Sequence, residues 1–228
     1  MTGPPLMRQT WRDLTFLHWP FDPAVVKPFL PAGLDLDLYG GQAWIGLVPF
    51  VIDDLTLPSA PAVPWLSSFA ETNVRTYVVD KNGVPGVWFF SLDAARLPAV
   101  IGARAAYALP YFWAKMKVYC DGKTARYVSR RRFSAQGRVD IEVLIGDAIA
   151  EPGGLEMFLT ARYRLYAYRR KRILKADVQH PPWKLQRASA LKLDQDLLQA
   201  AGLPAPALQP LVHFGGRVDV MVGPCTPA

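Results

Sequence analysis

The stretch "FAETNVRTYV", residues 69–78, alternates as a β-strand does and puts Glu71, Asn73 and Arg75 on one face, between Phe69 and Tyr77. A guanidinium takes a carboxylate in a two-pronged contact. An amide adds directional hydrogen bonds, and a carboxyl whose pKa is raised by burial serves as a general base. The same row on an outer face is an ordinary polar surface with Glu71 and Arg75 paired across the strand. Alternation alone leaves both readings open.

Other chemistries lack their residues. There is no GxGxxG followed by an acidic residue, no GxxxxGK[ST] and no GxSxG. His18, His180 and His213 are scattered without a metal-ligand partner at short spacing, and read as structural. Cys120 and Cys225, the only cysteines, have no activating neighbours in sequence and no disulfide framework to join. No metal and no cofactor is expected.

The elements that must position the polar row are mostly strands. Strands are expected at 12–19, across a Gly40-Gly41 hairpin within 34–50, at 69–78 and at 87–92. Asp22 and Pro23 start a short helix ended by Pro31 and Gly33, and an Ala-rich helix ends before Pro110. Residues 53–68 form a Pro-rich loop of irregular structure. Asp121-Gly122 signals a type I′ hairpin between two alternating runs. Residues 138–150 and 155–168 extend the antiparallel series, and "RRKR" (169–172) is a basic turn from which 173–180 returns. A late helix falls in 194–206 and a last strand at 216–222. The pattern predicts one α+β domain over 1–228, mainly antiparallel β with a few short helices, in which a bent sheet closes towards a barrel. A barrel of this size encloses one small ligand.

The 228 residues suffice for a sizeable core without disulfides. No apolar run is long enough to span a membrane and the start lacks a signal peptide, so membrane insertion is not expected and the cytoplasm is the default location. The net charge of +7 is uneven: from Lys123 to Arg187 there are 15 Lys/Arg against 6 Asp/Glu. Such a half attracts nucleic acid or an anionic surface, or consists of solvated strand faces and a basic turn; the second reading is preferred. A homo-oligomer is compatible with the sequence.

The order "WIGLVPF", "FAETNVRTYV", "GVWFFSLDA", "GARAAYALPYFWAKMKV", "RYRLYA" and "HPPWKL" resembles the acetoacetate-decarboxylase-like superfamily, closest to its uncharacterised YqjF-like branch, over most of the chain. The resemblance implies a bent antiparallel barrel with a small buried cavity, a cavity-facing Glu71, and with it Asn73 and Arg75. The family's enzymes use a lysine that forms a Schiff base with a β-keto acid, one of an adjacent pair after a proline. The matching stretch here is Gly102, Arg104, Pro110 and then Tyr111 and Phe112, so both lysine positions are aromatic. Lys115 and Lys117 share a strand face with Trp113 and read as solvent-facing. Glu71 is therefore the candidate catalytic residue. Asn73, Arg75, Arg104, Tyr107, Tyr111 and Trp113 are the candidate ligand-binding residues. The expected function is binding of an acidic or carbonyl-bearing metabolite without Schiff-base chemistry. The alternatives are a lyase- or hydratase-like enzyme using Glu71 and Arg75, and a nucleic-acid or anionic-surface binder.

Overall fold

The computed structural model describes residues 4–57 and 67–228. Its strands, in chain order, are β1 (Met7–Phe21), β2 (Leu34–Leu36), β3 (Ala43–Thr56), β4 (Phe69–Asp80), β5 (Pro85–Ala94), β6 (Tyr111–Cys120), β7 (Thr124–Arg131), β8 (Arg138–Ala148), β9 (Arg164–Arg169), β10 (Arg172–Gln179), β11 (Gln186–Gln195), β12 (Leu211–Val222) and β13 (Thr226–Pro227). The helices are α1 (Pro23–Val26), α2 (Leu97–Tyr107), α3 (Gly154–Thr160) and α4 (Leu197–Ala200), with a 3-10 turn at Lys27–Phe29.

All the strands join one sheet, ordered β13-β10-β9-β5-β6-β7-β8-β11-β12-β1-β3-β4-β2. Two further pairings, β5 with β4 and β10 with β12, close it on itself. Pairing is antiparallel except where β5 runs parallel to β6 and to β9. The fold is thus α+β and mainly antiparallel, with a closed sheet and a few short helices.

The wall β1-β3-β4 carries apolar packing on both faces. Leu17, Trp19, Ile45, Leu47 and Val74 pack against Tyr127, Ile141 and Val143 of β7 and β8. On the other face Leu14, Phe16, Val48, Phe50 and Phe69 join Leu165, Val178, Trp183 and Val220. That double burial explains why β4 is buried at nearly every position although its sequence alternates polar and apolar. A two-sided wall leaves no face for bulk water, so the polar row of β4 points into the protein.

Several local expectations change. Asp22 does cap α1, its carboxylate accepting from Ala24 N at 2.8 Å. Gly40-Gly41 do turn the chain, between Tyr39 and Gln42, but β2 pairs with β4 rather than with β3. Residues 53–56 continue β3 instead of starting a loop, and 58–66 of the expected Pro-rich loop lie outside the described residues. In the β6–β7 hairpin only Gly122 has a positive φ and Asp121 N bonds Thr124 O, the pattern of a type II′ turn centred one residue later than expected. The type I′ pattern falls in the basic turn, where Arg170 and Lys171 both have positive φ. Residues 155–160 belong to helix α3, not to a strand: Leu155 and Leu159 stand one turn apart and Met157 N bonds Gly153 O. The late helix shrinks to four residues, stopped by Gly202 at φ +88°. Before it stands β11, a half-buried strand that its mixed sequence did not announce.

Candidate functional site

A cavity of about 460 Å³ lies on the inner face of the β1-β3-β4 wall, lined among others by Glu71, Asn73, Arg75, Tyr107, Tyr111, Thr160, Arg162, His180 and Trp183. The pairing register explains how the polar row comes to face it. Phe50 stands opposite Glu71, Val48 opposite Asn73 and Gly46 opposite Arg75. Phe50 and Val48 also line the cavity and set an apolar wall beside each polar group. At Gly46 there is no side chain, and the His18 ring occupies the space a Cβ would need, 3.0 Å away at Nε2.

Glu71 is buried, and Tyr111 Oη donates to its Oε2 at 2.9 Å. Burial pushes the Glu71 carboxyl up to about 8; the hydrogen bonds of Tyr111 and Asn73 pull it the other way, and the nearby Asp93 charge adds to the rise. At neutral pH Glu71 therefore holds a proton. Tyr111 is raised well above the usual phenol range, first by burial and then by Glu71. The pair is a site of protonated oxygens inside an apolar cavity.

Arg75 is also buried, and among the described residues it has no ion-pair partner. Its Nη2 donates to Leu159 O at 3.2 Å and to Tyr77 Oη at 3.4 Å, and the guanidinium lies 5.5 Å from the Phe16 ring centroid. Among the described residues no carboxylate comes within 4 Å of it, and its Nε has no partner. Glu71 cannot serve, because four residues along a strand separate the two by roughly 13 Å. Sharing a face thus does not make Glu71 and Arg75 an ion pair. The other cavity arginines are neutralised: Arg162 pairs with Asp37 at 2.5 Å and Arg164 with Asp177 at 2.9 Å. The uncompensated charge is felt nearby. His18 and His180 are both shifted below the usual imidazole range, chiefly by burial and further by Arg75.

Of the residues singled out from sequence, Glu71, Asn73, Arg75, Tyr107 and Tyr111 all line the cavity. Tyr107 donates to Gly223 O at 3.0 Å, which ties α2 to the end of β12. Arg104 and Trp113 lie outside it. Arg104 is exposed on α2 and its Nε donates to the Tyr111 carbonyl at 2.7 Å, so it bears on the backbone of Tyr111. Trp113 stacks outward, under the Arg132 guanidinium at 4.3 Å and against Phe133. Lys115 and Lys117 are exposed and no lysine is among the lining residues. Phe112 faces away, 3.9 Å from the Arg131 guanidinium, whose carboxylate partner is Asp93.

Arg162, His180 and Trp183 were not read as site residues from sequence. Arg162 was counted with the basic half and His180 as a structural histidine. Their segments, "RYRLYA" with the residues before it and "HPPWKL", are among those that carry the family resemblance, and that was the available signal. His180 Nδ1 donates to Pro181 O at 2.8 Å, and the ring packs against Trp183, with ring centroids 5.2 Å apart.

The closed sheet with a cavity on one face of its wall is the fold of acetoacetate-decarboxylase-like proteins. It superposes on the enduracididine biosynthesis enzyme MppR complexed with pyruvate with a TM-score of 0.70, covering 100% of this chain and 91% of that one at 14% identity. Against the acetoacetate decarboxylase of Legionella pneumophila the TM-score is 0.67, covering 100% of this chain and 92% of that one at 15% identity. Within that fold class, the chain belongs to the DUF2071 family of uncharacterized conserved proteins, whose model matches residues 8–219. It is 40% identical over 221 residues to the uncharacterized protein YqjF of Bacillus subtilis (strain 168), covering 96% of this chain and 91% of that relative. Among the described residues no helix is long and apolar enough to cross a membrane.

Proposed function

We propose that the chain binds a small molecule bearing a carboxylate, together with a carbonyl or hydroxyl group, in this cavity, and that it does so without a Schiff base. The observation that carries the reading is Arg75: a buried guanidinium on the cavity wall with an unpartnered Nε and, among the described residues, no carboxylate within 4 Å. A buried cation left in that state is costly, and an anionic ligand relieves the cost. Asn73, whose Oδ1 is also unpartnered, supplies an amide beside it, and protonated Glu71 with Tyr111 offers hydrogen bonds to a ligand oxygen. The MppR structure complexed with pyruvate supports the reading by showing a keto acid on the same fold.

Isothermal titration of 2-oxo, 3-oxo and hydroxy acids against the wild-type protein and Arg75→Met tests it. At least one acid binds the wild type, and the variant binds it ten- to a hundredfold more weakly, the loss expected for a charge-assisted hydrogen bond. Equal affinity in the variant overturns the reading.

A second reading is favoured by Glu71 itself. A carboxyl that titrates near 8 beside a tyrosine is poised to exchange a proton with a bound ligand at neutral pH. We infer a lyase- or hydratase-like reaction in which Glu71 moves that proton. Turnover of the same acids that is lost in Glu71→Gln, with binding retained, is the expected result.

A further inference from the structure

The cavity is far from uniform along its length, and the register gives the order. Arg75 is level with Gly46 and His18, Asn73 with Val48, and Glu71 with Phe50. Beyond Glu71 come Phe69 with Ile52 and Trp11, and beyond those the strands β1 and β3 continue to Met7 and Thr56. The polar side chains of β4 therefore occupy one half. The other half is lined mainly by Leu6, Met7, Leu55, Phe69, Val222 and the inner side of α2, with Gln9, His180 and the Asp177-paired Arg164 as its polar members.

Exposure follows the same order. Arg75 is 9% exposed, whereas Leu6 and Leu57, at the far end of the lining, are 39% and 47% exposed. Arg75 sits deep and the apolar residues at the far end face solvent. Helix α2 adds a second feature: its residues on the lining include Ala99, Gly102, Ala103 and Ala106, which fill almost none of the space they face. At Gly102, which lines the cavity where α2 is solvent-exposed, a Cβ would meet nothing within 4 Å. About 460 Å³ is within the range of pockets that hold drug-sized ligands, and a three-carbon acid leaves most of it empty.

We propose that the ligand is a monocarboxylate with an extended apolar tail, its carboxylate on Arg75 and its tail running past Phe69 to the space beneath Gly102 and Ala103. This rests on the carboxylate reading above and adds the chemical class of the remainder. Among the described lining residues Arg75 is the arginine without a carboxylate and takes one carboxylate; a dicarboxylate would bring its second charge against Leu55, Phe69 and Val222, where the lining cation, Arg164, is already paired with Asp177. The tail leaves water for an apolar wall, which tightens binding about fourfold for each methylene added.

The test is a titration series of straight-chain monocarboxylates from butanoate to decanoate, with 1-octanol as the uncharged control, against wild type, Arg75→Met and Gly102→Phe. In the wild type Kd falls about fourfold per methylene until the cavity is filled, and octanoate binds well ahead of octanol. Gly102→Phe, which places a ring in open space, collapses the ratio of octanoate to butanoate affinity towards one. Arg75→Met brings octanoate down to the level of octanol. Ala103→Leu blocks the same space from the next residue and serves if Gly102→Phe does not fold. A series in which short acids bind and added methylenes change nothing overturns the tail and leaves the carboxylate reading standing. If no acid of any length binds, both fall.

Discussion

Tyr111 Oη lies 2.9 Å from Glu71 Oε2, although their strands, β6 and β4, are not neighbours and the hydrogen bond reaches across β5. The contact fixes a carboxyl in an apolar cavity that pushes it up to about 8, against an ordinary value of 4.5. Between those two pH values the folded protein keeps a proton that the unfolded chain has released. Stability from this group therefore falls as pH rises from about 4.5 to about 8, and is flat outside that window. Glu71→Gln keeps a side chain of the same shape without the titration. We expect the variant to match the wild type near pH 5 and to be more stable by several kcal/mol at pH 8 to 9. Thermal melts across that range check it; an advantage that does not grow with pH removes Glu71 as a buried, protonated acid.

The position of Tyr111 also bears on covalent chemistry. With Tyr111 and Phe112 where the resemblance places the lysine pair, and with Lys115 and Lys117 exposed, no lysine is among the described residues that line the cavity. Incubation with acetoacetate and borohydride should leave the mass of the protein unchanged. An adduct mapped to Lys115 or Lys117 would restore the Schiff-base mechanism.

The candidate site was legible in the sequence where one strand carries it. In "FAETNVRTYV" the period of two already put Glu71, Asn73 and Arg75 on one side, and the resemblance chose the inner side. What alternation cannot say is which faces meet. Arg162 and His180 enter the cavity from β9 and β10 and their flanks, roughly a hundred residues away, and only the closure of the sheet brings them to Arg75. The stretch that carries the resemblance puts Arg104 and Trp113 close to Tyr111, but Arg104 stands on the exposed side of α2, and Trp113, on the same strand face as Tyr111, lies two residues further along β6 against Arg132 and Phe133. Helix α3 has seven residues, too few for a period of 3.6 to declare itself, and tertiary contacts at Leu159 hold it.

The basic half is less available to phosphate than its composition suggests. Arg126 and Lys192 share Asp140, Arg138 pairs with Asp194, and Arg162 and Arg164 are engaged within the fold. The turn at Arg169–Arg172 remains as a small cluster. Binding to single- or double-stranded oligonucleotides should be weak, insensitive to sequence and gone near 150 mM salt, where the screening length is about 8 Å. Submicromolar binding in fluorescence anisotropy at that salt concentration would make nucleic acid the leading partner.

Behind Tyr111, Asp93 and Arg131 form a buried ion pair, 0% and 4% exposed at their side chains, with Nη2 to Oδ1 at 2.9 Å and Nε to Oδ1 at 2.9 Å. The guanidinium lies over Phe112, the neighbour of Tyr111 that faces the other way, so the pair backs the strand from which Tyr111 reaches Glu71. Burial raises Asp93 to about 6 and Arg131 opposes that rise. Arg131→Met removes the opposition: it should cost roughly 3–5 kcal/mol because a buried carboxylate is left alone. Its deficit should grow as pH rises above 6, because without Arg131 the buried Asp93 keeps its proton there while the unfolded chain has released it. Asp93→Asn strands the arginine and should also be strongly destabilising. The double variant strands neither group, so its loss should be clearly smaller than the sum of the two. Denaturant melts of the four proteins at pH 5 and pH 8 give the coupling. Additive losses with no pH dependence would mean that the two side chains do not act as a pair and that the support of Tyr111 lies elsewhere.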